Sequence, residues 1–265
     1  MGNIIDDIRA NEDTFADRPF NEVDSLALAQ LSYARMPVNV PRLDAEATDV
    51  DLAMVGVRDL LRAECYDDMF GKVWSPSMNV DLLRAMCESP RWRDLRVGGY
   101  VDEFDPETTK QFSACVFDVG DGSSYVAFRG TDSTIVGWKE DFAMAFRRPV
   151  AAQESAARYL ADIAGLRDGP LMVGGHSKGG NLAVYAAANA PAAVQERLIA
   201  VFCHDGPGFD ATSSILPVMR GSRRSSTSRC RNRRSSACCS RCASMWRMAI
   251  RSSPATAPAS CSISR

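Results

Sequence analysis

Apolar and polar positions follow two different periods along this chain. Over residues 23–33 apolar side chains recur at helical spacing and predict a helix, followed by a loop with Pro37 and Pro41 and further helices over 50–63 and 80–87. The pattern then shifts to alternation and unbroken apolar runs. It predicts three successive strands over 97–104, 111–119 and 124–128, the last two joined as a hairpin around Asp121-Gly122. An amphipathic helix over 155–166, a short apolar strand over 171–174, an alanine-rich helix over 178–190 and a strand over 198–203 complete the pattern. Strands and helices in this order predict an α/β fold with a mostly parallel sheet covered by helices on both faces.

The most specific chemistry lies where the 171–174 strand meets its helix. There Gly175-His176-Ser177-Lys178-Gly179 fits G-x-S-x-G, preceded by the turn signal Asp168-Gly169-Pro170. A serine in a sharp strand-to-helix turn projects its hydroxyl above the sheet, and glycines on either side let neighbouring backbone pass close by. The following helix turns its positive end toward the serine, with the Lys178 amide placed to bind an oxyanion. The order Lys-Gly-Gly does not fit the phosphate-binding pattern G-x-x-x-x-G-K-[ST].

Phe128-Arg129-Gly130-Thr131-Asp132-Ser133, then Trp138-Lys139-Glu140-Asp141-Phe142, and then G-H-S-K-G-G-N together resemble the lipase-like α/β-hydrolases, near the class 3 lipases and an uncharacterised bacterial branch of them. The resemblance runs from about Phe20 to Phe209 and includes Asp205-Gly206-Pro207-Gly208-Phe209. It implies an α/β-hydrolase fold and a serine hydrolase of lipase or carboxylesterase type acting on a small ester or lipid. Ser177 would be the nucleophile, Thr131 and Lys178 the oxyanion hole, and Ser133 to Phe142 a lid, although an amphipathic helix there could equally be plain core covering. No cofactor or metal is implied.

The nucleophile needs a base, and the chain has two histidines. His176 lies inside the turn and reads as a packing residue whose side chain leaves away from the reaction face of Ser177. His204 and Asp205, at the end of the next strand, are the candidate base and acid. In this fold the base follows the acid late in the chain, so His204 sits early and the triad reads as incomplete. Arg129 reads as a loop buttress through a carboxylate as readily as a substrate contact, Asp132 as a helix cap, Trp138 as core, and the Lys178 side chain as solvated.

Charge divides the chain in two. No acidic residue follows Asp210; the first 215 residues carry 33 acids against 20 Lys and Arg, whereas 216–265 carry 11 Arg, 13 Ser and 5 of the 9 Cys. Residues 1–212 read as the hydrolase-like domain, incomplete at its C-terminal side. Residues 213–265 read as a basic Arg/Ser/Cys-rich tail, disordered and translated out of frame, because the composition cannot build a core. With codons chosen freely, the tail rereads as a protein-like text with acids, apolar strands and a Gln-His pair resembling the region of the family's candidate catalytic histidine. A basic arm could instead bind nucleic acid, but Trp246 is its one aromatic residue, and no nucleic-acid partner is expected.

The remaining features bound location. No apolar run is long enough to span a bilayer, and the N-terminus has no basic and apolar signal region, so no stable membrane insertion and a cytoplasmic location are expected. Met1-Gly2 opens a myristoylation motif, but Asp6 stands where Ser or Thr is required. Cys65, Cys87, Cys115 and Cys203 read as buried thiols of a reducing compartment. Cys230, Cys238, Cys239, Cys242 and Cys261 have no histidine companion, and their one C-x-x-C has no second to pair with, so they imply no zinc site.

Overall fold

The computed structural model describes residues 3–44, 52–131, 134–144, 149–209 and 246–247. Two short helices open the chain, α1 (Ile4–Ala10) and α2 (Glu22–Leu31), each started by an asparagine whose side chain accepts first-turn amides while an aspartate caps back, Asn3 with Asp6 and Asn21 with Asp24. Strand β1 (Met54–Gly56), two 3-10 turns (Val57–Leu60 and Ala63–Cys65), α3 (Tyr66–Phe70) and α4 (Pro76–Glu88) follow. The centre of the molecule is β2 (Arg96–Asp105), β3 (Lys110–Asp118) and β4 (Ser124–Phe128), then α5 (Ile135–Ala143) and α6 (Ala151–Leu166). Next come β5 (Leu171–His176), α7 (Lys178–Asn189), α8 (Ala192–Arg197) and β6 (Leu198–His204), and the two-residue β7 (Trp246–Arg247) pairs with the outer edge of β6.

The seven strands of the described residues form one sheet in chain order, and its directions correct the expected mostly parallel sheet. Only β4–β5 and β5–β6 are parallel; β1–β2, β2–β3, β3–β4 and β6–β7 are antiparallel. Connection length is the physical reason. Connections of four and five residues join β2 to β3 and β3 to β4, too short for the crossover of a dozen or more residues that parallel neighbours need, whereas the segments carrying α5 with α6, and α7 with α8, supply one. The helix expected over 50–63 is also corrected. Met54 to Gly56 pair with Arg96 to Gly98 instead, and the Arg96 guanidinium donates to the Met54 carbonyl. Cross-strand pairing outweighs a helical period that Gly56 interrupts.

Helices do cover both faces. On one, α1, α2 and α4 bury a core that includes Phe15, Phe20, Leu28, Trp92, Tyr125 and Phe202; on the other, α6 and α7 bury Phe112, Val126, Phe128, Leu160, Val173 and Leu182. Neighbours along β4 alternate between these cores, Tyr125 and Ala127 on one and Val126 and Phe128 on the other, which is why the strand reads as an unbroken apolar run. Arg91 ties the N-terminal segment to α2. Its guanidinium pairs with Asp24 at 2.6 Å, donates to the carbonyls of Asp13, Thr14 and Arg18, and lies over the Phe15 ring.

No helix among the described residues is long and apolar enough to cross a membrane. Apart from Trp246 and Arg247, the tail read as out of frame lies outside the described residues, as do its five cysteines and Asp132 and Ser133.

Candidate active site at the turn after β5

Ser177 sits between β5 and α7 with φ 55° and ψ −126°, a left-handed backbone that costs a non-glycine residue about 1–3 kcal/mol. The turn is tight because β4 passes directly against it. A Cβ added to Gly175 would lie 2.5 Å from the Phe128 carbonyl oxygen, and one added to Gly179 only 2.1 Å from it. Close backbone approach therefore demands both glycines of G-x-S-x-G. The Ser177 amide donates to the His204 carbonyl at 2.8 Å, continuing the β5–β6 ladder, and the Ser177 carbonyl accepts from Gly180 at 2.9 Å as α7 begins. The serine thus closes a strand and opens a helix in one residue.

Lys178, expected to be solvated, is fully buried. Its ammonium donates to the Gln111 carbonyl at 2.7 Å, to Gln111 Oε1 at 2.6 Å and to Glu140 Oε2 at 3.0 Å. Glu140 in turn accepts from the amides of Gln111 and Ala152, each at 3.0 Å. One carboxylate on α5 so joins β3, the start of α6 and the residue after Ser177. A buried charge is stable only when paired and hydrogen-bonded, and this pair is both. Asn181 makes a second tie: it accepts from Gln153 on α6 and donates to the Pro207 carbonyl at 2.8 Å, holding the D-G-P-G segment against α7.

A cleft of about 910 Å³ opens beside the turn. Ser177, His176, Thr131, Gln111, Arg129 and Trp138 are among its lining residues. Helix α5 stands where the sequence suggested a lid, and Trp138 on it, expected in the core, is 66% exposed. Arg129 does buttress a loop, pairing with Asp102 at 2.7 Å, and it also lines the cleft. Thr131 Oγ1 is buried without a hydrogen-bond partner among the described residues.

The two histidines part company here. His176 is among the residues lining the cleft with Ser177, and its Nδ1 is 2.9 Å from the Tyr33 hydroxyl. Burial lowers its pKa, partly opposed by Asp205. His204 Nε2 is 2.9 Å from Ser25 Oγ, which pairs with the Tyr125 hydroxyl at 2.8 Å, and its ring stacks on Phe202. Burial, then the neighbouring His176, brings the His204 pKa down to about 4. His204 is absent from the cleft lining, and exposed Asp205 follows it with φ 51°. Among the described residues no side chain hydrogen-bonds to Ser177 Oγ, and no group of His, Cys, Asp or Glu could hold a metal ion.

Sequence reasoning missed Gln111, Glu140, Tyr33 and Asp102. Gln111 offered a signal, as a polar residue at the head of an otherwise apolar strand; Tyr33 offered none, because it reaches His176 only through the packing of α2.

A family model, Mbeg1-like, matches residues 86–222, just over half of the chain. No curated protein and no solved structure matches it.

Proposed function

The chain belongs to the Mbeg1-like family, a lipase-like family, and on that footing we propose that it is a serine hydrolase of the lipase or carboxylesterase type on an α/β-hydrolase fold. The observation that carries the reading is the backbone of Ser177, held at φ 55° in a glycine-packed turn at the wall of the cleft. Ser177 Oγ attacks an ester carbonyl carbon while a base takes its proton. The negative oxygen is held by the Lys178 amide at the start of α7 and by Thr131, whose buried hydroxyl has no other partner among the described residues. The proton passes to the departing alcohol, and water then releases the acid from the acyl-serine by the same route. The buried Lys178–Glu140 pair supports this geometry by fixing the residue that supplies the amide.

The base is the missing part. His204 is engaged with Ser25 beneath α2, and His176 with Tyr33. We place the base in the alternative frame of residues 213–265, where the Gln-His pair lies, with Asp205 as the candidate acid. The described geometry favours a second reading for the chain as written, a hydrolase-like domain that binds in the cleft with little turnover. Hydrolysis of p-nitrophenyl esters separates the two. The hydrolase reading expects turnover that Ser177→Ala abolishes; a rate identical in Ser177→Ala sinks it.

A further inference from the structure

Two side chains that line the cleft have donors without a partner among the described residues. Gln111 is 1% exposed and Arg129 7% exposed, both line the cleft beside Ser177, and Gln111 Nε2 and Arg129 Nε are buried without hydrogen-bond partners among the described residues. The amide of Gln111 is not free to turn over. The Lys178 ammonium can only donate, so it fixes the amide oxygen toward itself at 2.6 Å and leaves the NH2 as the unmatched end. Asp102 fixes the other end of the Arg129 guanidinium in the same way, through Nη2 at 2.7 Å. The Arg129 amide donates to the Ser113 carbonyl, extending the β3–β4 ladder by one residue and placing Arg129 diagonally across from Gln111, two residues along β3 from Ser113.

Charge points in the same direction. The cleft lining holds three permanent cations, Arg35, Lys72 and Arg129, against two carboxylates, Asp68 and Asp102. That excess is notable because the first 215 residues are strongly acidic, with 33 acids against 20 Lys and Arg. Arg35 is 3.7 Å from Asp102 with its side chain 58% exposed, so its guanidinium can turn onto a ligand. The rim is apolar, with Trp74 92% exposed and Phe104 53% exposed. Unmatched donors away from water are strongest toward an anionic acceptor.

We infer that Gln111 and Arg129 form a subsite for an anionic oxygen group, a carboxylate or a phosphate, carried by a substrate whose hydrocarbon part lies along Trp74 and Phe104. The inference rests on the hydrolase reading for the word substrate, and the subsite itself does not need turnover. Titration calorimetry of the full chain with hexanoate, hexyl phosphate and methyl hexanoate tests it. The chain binds at least one anion about tenfold or more tightly than the neutral ester, and which anion binds identifies the group. Gln111→Glu keeps an oxygen for Lys178 but replaces the donor, and it removes the preference for the anion over methyl hexanoate; Arg129→Gln does the same from the other side. Equal binding of all three ligands by the unmodified chain overturns the subsite, as does a preference that survives in a folded variant. Fluorophosphonate labelling of Ser177 keeps the two ideas apart: anion preference without labelling retains the subsite against the hydrolase, and labelling without preference does the reverse.

Discussion

The ends of β5 and β6 hold the same residue in register, His176 opposite His204, and the two ends are built for different work. Both imidazoles lie under α2, one toward each end of that helix: His204 meets Ser25 in its first turns and His176 meets Tyr33 just past its last residue. The β5 end continues into the Ser177 turn and faces the cleft, whereas the β6 end is plugged by Ser25, Tyr125 and Phe202. Register alone places a histidine beside a serine; what packs above each strand end decides whether it shares a cavity with it.

The largest effect that sharpens this contrast belongs to the β5 end. Lys178→Met leaves Glu140 as an unpaired buried carboxylate, and a loss of about 3–5 kcal/mol is expected in urea unfolding. A loss below about 1 kcal/mol would show that the carboxylate finds other partners.

The β6 end predicts a pH effect. The folded pKa of His204, about 4, lies below its unfolded value near 6.5, so the unfolded chain binds more protons in that window. Its contribution, about 3 kcal/mol, is fully present above pH about 6.5 and is lost as pH falls toward 4. His204→Gln should flatten unfolding free energy measured across this range. An unchanged slope would mean that His204 titrates freely and the plug is open.

The smallest effect concerns the link between the cleft histidine and α2. Tyr33→Phe removes one hydrogen bond to His176 and should cost about 1 kcal/mol in thermal unfolding. It should also move the His176 imidazole resonances in NMR titration while those of His204 hold still. Equal movement of both would dissolve the distinction between the two ends.

Much of this was legible in the residues. The apolar runs of β3, β4 and β5 and the helical period of α2 located those elements, and G-H-S-K-G located the turn with both glycines. Sheet direction was misread because alternation of strands and helices was weighted over the short turns that join β2, β3 and β4. The β1 segment reads as part of a helix until its pairing with β2 is known. Lys178 illustrates the limit at the site: a lysine in a glycine-rich turn is ordinarily solvated, and its burial depends on Gln111 and Glu140, 67 and 38 residues away in sequence. The Tyr33–His176 and Ser25–His204 contacts span 143 and 179 residues, and neither has a local pattern.

The proposed hydrolase pairs Ser177 with a base in the alternative frame of residues 213–265. Its most direct test is the ester turnover of this chain beside one in which the codons after Asp210 are read in that alternative frame. Restoring the frame is expected to raise turnover about a hundredfold or more, a gain abolished by Ser177→Ala. Equal rates in the two chains, or a rate indifferent to Ser177, would contradict it.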